Sequence, residues 1–281
     1  MIFEEAASLK NYTKTPLVHF NFNVGQNILY YGRYTNSLST ESAEEPGYYP
    51  EENEELVTNT GLLKYQYAVS EGWRPSSVEY GGRHGARGGF ARMVDYLTPR
   101  KWQMALAECQ MYHTSLEPSF EGMFARDLYQ GKKKAFRSLD AIGAFNNFFK
   151  QHETYYTEPS SPALIGIIAN GGKNENGLIP FINKLSQKNI QYDVLLDYQS
   201  LSWNKLSKYE ALVLPEQMTI RKAWYKLIQE WIKEGGILYC FGERSVKEQN
   251  LGVTFQDNSA KMGSGKIRYL ATTPQAFEFA D

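Results

Sequence analysis

The sequence predicts an α/β protein in which short buried strands alternate with helices, most clearly from about residue 162 to the C-terminus. Three observations carry this. Near-continuous apolar runs recur, as expected of strands covered on both faces. Between them lie segments with apolar residues at helical spacing. Paired glycines, Gly171-Gly172 and Gly235-Gly236, punctuate the exits. Alternation of this kind requires a parallel sheet with helices on both faces.

Ala163-Leu164-Ile165-Gly166-Ile167-Ile168-Ala169 is the first apolar strand of this region, followed by a helix carrying Leu178, Ile179, Ile182 and Leu185. Gln191 to Leu196 reads as the second strand, Leu201 to Lys208 as a short helix or turn, and Ala211-Leu212-Val213-Leu214-Pro215 as the third strand. Ile220 to Glu234 places Trp224, Leu227, Ile228 and Trp231 on one helical face, and Ile237 to Gly242 follows as the fourth strand. Gly265 to Leu270 closes the pattern as a last strand. Pro159 and Pro162 interrupt the helical pattern before it, so the boundary is set near 158–162, giving domains 1–158 and 162–281.

The first domain alternates less regularly. Pro16 to Phe22 is a candidate strand. Residues 36–55, with Glu41, Glu44, Glu45, Glu51, Glu52, Glu54 and Glu55, read as a long acidic loop. Ser77-Val78-Glu79-Tyr80 is a candidate strand end behind Trp73-Arg74-Pro75, and Gly81 to Gly89 reads as a flexible cationic loop. Lys101 to Met111 is a helix with Trp102, Ala105, Leu106 and Cys109 inward. Asp140 to Tyr156 is a second, rich in aromatics at Phe145, Phe148 and Phe149. No internal repeat stands out.

Composition narrows the function classes. With 42% hydrophobic and 22% charged residues over 281 positions, the chain is an ordinary globular protein. Its 30 basic and 31 acidic residues leave a formal charge of -1, which gives no general attraction to nucleic acid or to an anionic membrane. No run of 18 apolar residues occurs, and residues 1–20 carry Glu4, Glu5, Lys10 and Lys14 in place of a signal sequence, so a cytoplasmic location is expected. Cys109 and Cys240 have no CxxC or His-rich partner, and the four histidines lack ligand spacing, so neither a metal nor another cofactor is expected.

Glu79 is the leading candidate for chemistry. A carboxylate at the C-terminal end of a parallel strand, before a glycine-rich loop, occupies the place where (β/α)8 enzymes put catalytic groups. Retaining glycosidases need two such carboxylates about 5 Å apart, and Glu41 is a possible second one. The alternative for Glu79 is a solvated glutamate paired with Arg83 or Arg87. Residues 81–89 lack the spacing of a phosphate-binding loop. Trp73, Tyr80, Arg83 and His84, around the same strand end, are the candidate sugar contacts, in keeping with 14% aromatic residues. Cys240, in Tyr-Cys-Phe-Gly, would need a histidine base to act as a nucleophile, and no histidine follows His152. It reads as a core residue.

The order Tyr192 to Leu196, then Leu206-Ser207-Lys208-Tyr209-Glu210-Ala211-Leu212-Val213-Leu214-Pro215, then Ile228 to Leu238 through Gly235-Gly236, resembles the amidotransferase-like trimerisation domain behind the barrel of family 42-type β-galactosidases and related glycosyl hydrolases. Arg74 to Glu79, Met104 to Glu108 and His152 to Tyr156 are similar to the end of that barrel. The resemblance implies an incomplete (β/α)8-type barrel segment followed by a flavodoxin-like, class I amidotransferase-like domain. It also implies Glu79 near the nucleophile position and a retaining mechanism if a full-length parent is active. In that family the second domain serves oligomerisation and active-site walls and has no amidotransferase activity.

A full barrel needs about 250 residues, more than precede residue 162. The chain is therefore expected to be the C-terminal portion of a glycoside hydrolase-like protein, not competent alone. An open half-barrel also predicts self-association. The other readings are a non-catalytic carbohydrate- or partner-binding protein, and a Cys hydrolase.

Overall fold

Parallel strands cannot be joined by a tight hairpin, so each return in a parallel sheet needs a crossover, and the positions of helices follow from the strands. The computed structural model describes residues 19–22, 37–41, 47–48, 56–57, 59–69, 76–79, 82–84, 93–96, 98–118, 122–156, 160–170, 175–216 and 218–270. The chain divides into two compact units, Met1–Ser160 and Ser161–Asp281.

Among the described residues the main sheet of the first unit has four strands: β1 (His19–Phe22), β2 (Ser37–Glu41), β5 (Ser76–Glu79) and β8 (Ser115–Pro118). They lie in the order β1-β2-β5-β8 and every pairing is parallel. Two small antiparallel pairs sit between them, β3 (Gly47–Tyr48) with β4 (Leu56–Val57), and β6 (Gly82–His84) with β7 (Met93–Tyr96). Part of the expected acidic loop is thus the strand β2, and part of the expected glycine-rich loop is the strand β6. Periodicity missed both because β2, Ser-Leu-Ser-Thr-Glu, and β6, Gly-Arg-His, contain no apolar run.

The described helices of this unit are α1 (Thr60–Val69), α2 (Pro99–Met111), α3 (Gly122–Tyr129) and α4 (Lys133–Gln151). Thr98 caps α2, its hydroxyl accepting from the Lys101 amide at 3.4 Å, and Pro99 occupies the first turn, where a missing N–H costs nothing. Trp102 and Leu106 of α2, Phe124 of α3, and Ala135 and Ile142 of α4 form one buried cluster. Helix α4 begins at Lys133, earlier than the aromatic stretch suggested, because Ala135 and Ser138 continue its buried face. After α2 the chain turns through His113 at φ 54 into buried Thr114 and then β8.

The second unit follows its apolar runs. Its strands are β9 (Ile165–Ala169), β10 (Asp193–Leu196), β11 (Ala211–Leu214), β12 (Ile237–Phe241), β13 (Ser259–Met262) and β14 (Gly265–Leu270). Their order is β10-β9-β11-β12-β14-β13, all parallel except the β13–β14 hairpin. Its helices are α5 (Glu175–Gln187), α6 (Trp203–Leu206), α7 (Tyr225–Lys233) and α8 (Arg244–Leu251). The expected helix 220–234 divides into a 3-10 turn, Lys222–Trp224, and α7. Gly166 lies at the sheet centre, where a Cβ would come within 2.8 Å of both Leu195 and Leu212, so no larger residue fits there unless both leucines yield.

At the opposite end of this sheet from the strand exits, Asp193 accepts from Ser161 Oγ and Lys208 Nζ, each at 2.6 Å, and from Tyr209 Oη at 2.8 Å. Burial disfavours the ionised carboxylate, but the three donors prevail and hold its pKa below the ordinary value. The cluster ties the start of the unit to β10 and to the turn before β11. Asp193→Asn should lower stability in urea unfolding at pH 7 by about 1–2 kcal/mol, allowing for solvent screening of the exposed Lys208 partner. Because the folded pKa is depressed, this contribution exists above the unfolded value. The gap between wild type and variant should therefore close as the pH falls below about 4.

Candidate functional site

Parallel strands deliver their last residues to one end of the sheet, and α/β enzymes place their sites there. In the first unit β2 ends at Glu41, β5 ends at Glu79, and β8 carries Glu117 beside its last residue, Pro118. The register sets Glu41 level with Val78, Val78 level with Glu117, and Glu79 level with Pro118. Three adjacent strands therefore bring a carboxylate-bearing residue to the same end of one sheet. Adjacent strands are about 4.8 Å apart and residues rise about 3.3 Å, so the backbone of Glu79 lies about 6 Å from those of Glu41 and Glu117.

Of the sequence-derived candidates, Glu79 stands at this strand end. Arg83 and His84 lie just beyond it in β6, where Gly82 pairs with Tyr96 and His84 with Met93. Trp73 and Tyr80 lie outside the described residues. Glu41 is brought beside the Glu79 strand. Glu117 was overlooked because Ser-Leu-Glu-Pro is too short to read as a strand. A signal was present, however: Ser37, Ser76 and Ser115 open the three strands at equal spacing along the chain, and Glu41, Glu79 and Glu117 recur at equal spacing too.

The helices behind this sheet are tied to one another. Thr60 at the start of α1 donates from Oγ1 to Glu108 Oε1 of α2 at 2.8 Å. Burial pushes the pKa of Tyr112, just after α2, upward, with its hydrogen bond to Thr60 working against this.

In the second unit the chain leaves β9 for β10 on one side, and later returns to β11 on the other side. That reversal is the switch point where open α/β sheets bind ligands. Asn170, which follows β9, stands at this point. Its Nδ2 donates to Asp197 Oδ2 at 3.0 Å and to Thr219 O at 2.8 Å, and its Oδ1 accepts from Thr219 N at 2.6 Å and Thr219 Oγ1 at 3.3 Å. All four hydrogen-bonding sites of the amide are thus engaged by the protein itself.

Cys240 lies inside β12 with no exposed surface, and burial pushes its thiol up to about 12, against the opposing influence of Lys247. The sharp strand-to-helix turn comes two residues later, at Gly242 with φ 96. A Cβ at that position would meet Glu216 atoms at 2.6–2.9 Å. A nucleophile elbow puts its reactive side chain on such a turn; here the turn holds glycine and the space holds Glu216. Lys247 of α8 is 1% exposed and donates from Nζ to Pro215 O at 3.2 Å and to Met218 O. Burial lowers its pKa to about 8, with Cys240 and Glu216 pulling the other way.

Among the described residues no group of three His, Cys, Asp or Glu is placed to hold a metal ion, and no helix is long and apolar enough to cross a membrane.

The pKa values of Lys247 and Cys240 produce opposing pH effects. Between pH 8 and 9 unfolded Lys247 binds a proton that the folded form has lost, so stability should rise with pH. Above about pH 9 the unfolded thiol of Cys240 ionises first, and that contribution falls. Denaturant midpoints measured from pH 7.5 to 9 should show the rise in wild type and its loss in Lys247→Met.

No model of a known protein family matches the chain. No curated protein matches it either. Solved structures do. A β-galactosidase from Bacillus circulans sp. alkalophilus superposes with a TM-score of 0.66 at 12% identity, covering 98% of this chain and 53% of that one. Gan42B, a GH42 β-galactosidase from G. stearothermophilus, superposes with a TM-score of 0.59 at 11% identity, covering 96% of this chain and 53% of that one. A catalytic mutant of the same enzyme gives 0.61 at 10% identity, with 95% and 52% covered. In fold the chain resembles family 42 β-galactosidases, and it spans about half the length of these structures.

Proposed function

We propose that the chain is the C-terminal portion of a glycoside hydrolase-like protein of the β-galactosidase type, not catalytically competent by itself. On this reading the first unit is a segment of a (β/α)8 barrel and the second is an amidotransferase-like domain serving architecture and assembly. The observation that carries it is the arrangement of Glu41, Glu79 and Glu117 at one end of adjacent parallel strands. The likeness in fold to GH42 β-galactosidases supports it. So does the strand order β1-β2-β5-β8, since strands following one another in sequence order form a barrel wall, whereas a doubly wound sheet reverses.

Glu79 takes the role of nucleophile in this proposal, attacking the anomeric carbon of a carbohydrate as the aglycone departs. A retaining mechanism requires an acid/base carboxyl about 5 Å away, which protonates the leaving oxygen and then activates water. Trp73, Tyr80, Arg83 and His84 are the proposed sugar contacts. The second unit has no histidine in its sequence, Asn170 stands at its switch point, and its Cys240 is buried, so it supplies no chemistry.

The 281-residue chain should therefore show no turnover of aryl β-galactosides. In a longer form that supplies the remaining strands, Glu79→Ala should lower kcat by roughly a thousandfold or more, and azide should restore activity by replacing the missing nucleophile. Turnover by the present chain, abolished in Glu79→Gln, would contradict the proposed incompetence. Loss without azide rescue would remove Glu79 from the nucleophile role.

A further inference from the structure

Two buried groups grip the residues that follow β11 from different sides. Lys247 of α8 donates from Nζ to Pro215 O at 3.2 Å and to Met218 O. Asn170, at the exit of β9, bonds Thr219 through that residue's N–H, carbonyl and hydroxyl. Met218 joins the two. Its carbonyl accepts from Lys247, its sulfur accepts from the Asn170 N–H at 3.2 Å, and its own N–H donates to Pro215 O at 3.1 Å. Met218 is 2% exposed, so a bond lost there is not readily replaced by one to water. Arg244 lies on the same helix as Lys247, but its bonds run instead to Glu248 and to Phe255 O.

We propose that Pro215, Met218 and Thr219 act as a strap coupling α8 to the switch point, with Lys247 as the positioning residue at its far end. A buried ammonium must keep its carbonyl partners or go unsolvated, so the two carbonyls move with α8. Pro215 stiffens the start of the strap, because its ring fixes φ. Thr219 follows Met218 directly, and three of the four side-chain bonds of Asn170 go to Thr219. What displaces Lys247 therefore displaces the partners of Asn170, and the coupling is reciprocal. A ligand or partner that shifts α8 thereby acts on the residue standing where open α/β sheets bind ligands, without touching it. The inference concerns the second unit alone and stands whatever the first unit does.

Amide exchange followed by NMR in the whole chain reads this coupling. In Lys247→Met, protection of the Thr219 and Asn170 N–H groups should fall about tenfold more than that of Ile167, the scale of one charge-assisted hydrogen bond. Ile167 lies in the middle of β9 and reports global opening. Arg244→Met, a change on the same helix, should leave that ratio unaltered. From the other end, Asn170→Ala should hasten exchange of the Lys247 ammonium protons at about pH 6, where the amine is charged. That reading needs no change at Lys247. Equal loss of protection at Thr219 and Ile167, or an equally large effect of Arg244→Met, would make Lys247 an ordinary core residue and overturn the proposal. A Lys247 ammonium indifferent to Asn170→Ala would overturn it too.

Discussion

Parallel pairing is the constraint on which the rest of the structure depends. It forbids tight returns, so helices must carry the chain back to the starting edge. It also sends every strand's last residue to the same end. In the first unit this sets the backbones of Glu41, Glu79 and Glu117 at adjacent strand ends from positions far apart in sequence. In the second unit the same rule creates a switch point beside β9, where Asn170 makes four hydrogen bonds. Both units obey one topological rule, yet the strands of one end on glutamate-bearing positions where β9 of the other leads into a neutral, fully bonded amide.

In the second unit, described residues at this end are engaged by the protein itself. Lys247 is held by backbone carbonyls of Pro215 and Met218, so its charge braces the turn after β11. Glu216 stands against Gly242, where an elbow nucleophile would project. Cys240 sits within the strand instead, and burial suppresses its ionisation. The packing of this edge leaves the thiol neither exposed nor acidic.

Much of the second unit was legible in the sequence because its strands are buried on both faces. Ile165 to Ala169, Ala211 to Leu214 and Ile237 to Phe241 leave a continuous apolar trace that composition alone reveals. The first unit is written differently. Ser37 to Glu41 pairs with strands on both sides, yet three of its five residues are hydroxylated and one is acidic, and an acidic sequence context disguised it as a loop. That β5 ends at Glu79 was legible because a glycine-rich segment follows it. Glu117 was not, because four residues between a helix and a proline give periodicity nothing to act on. The side-chain hydrogen bonds of Asn170 and Lys247 link residues 27 to 49 positions apart, a separation no local pattern encodes.

The strands of the first unit lie side by side in sequence order, which sets the backbones of Glu41, Glu79 and Glu117 at adjacent strand ends. Engineered disulfides read this directly, because paired residues on neighbouring strands fall within bridging distance. Thr40→Cys/Ser77→Cys, a register pair of β2 and β5, should oxidise readily to an intramolecular bridge while Phe20→Cys/Ser77→Cys stays reduced. Bridging of positions 20 and 77, with 40 and 77 left reduced, would place β1 beside β5. The sheet would then be wound differently and the glutamates would not share adjacent strand ends.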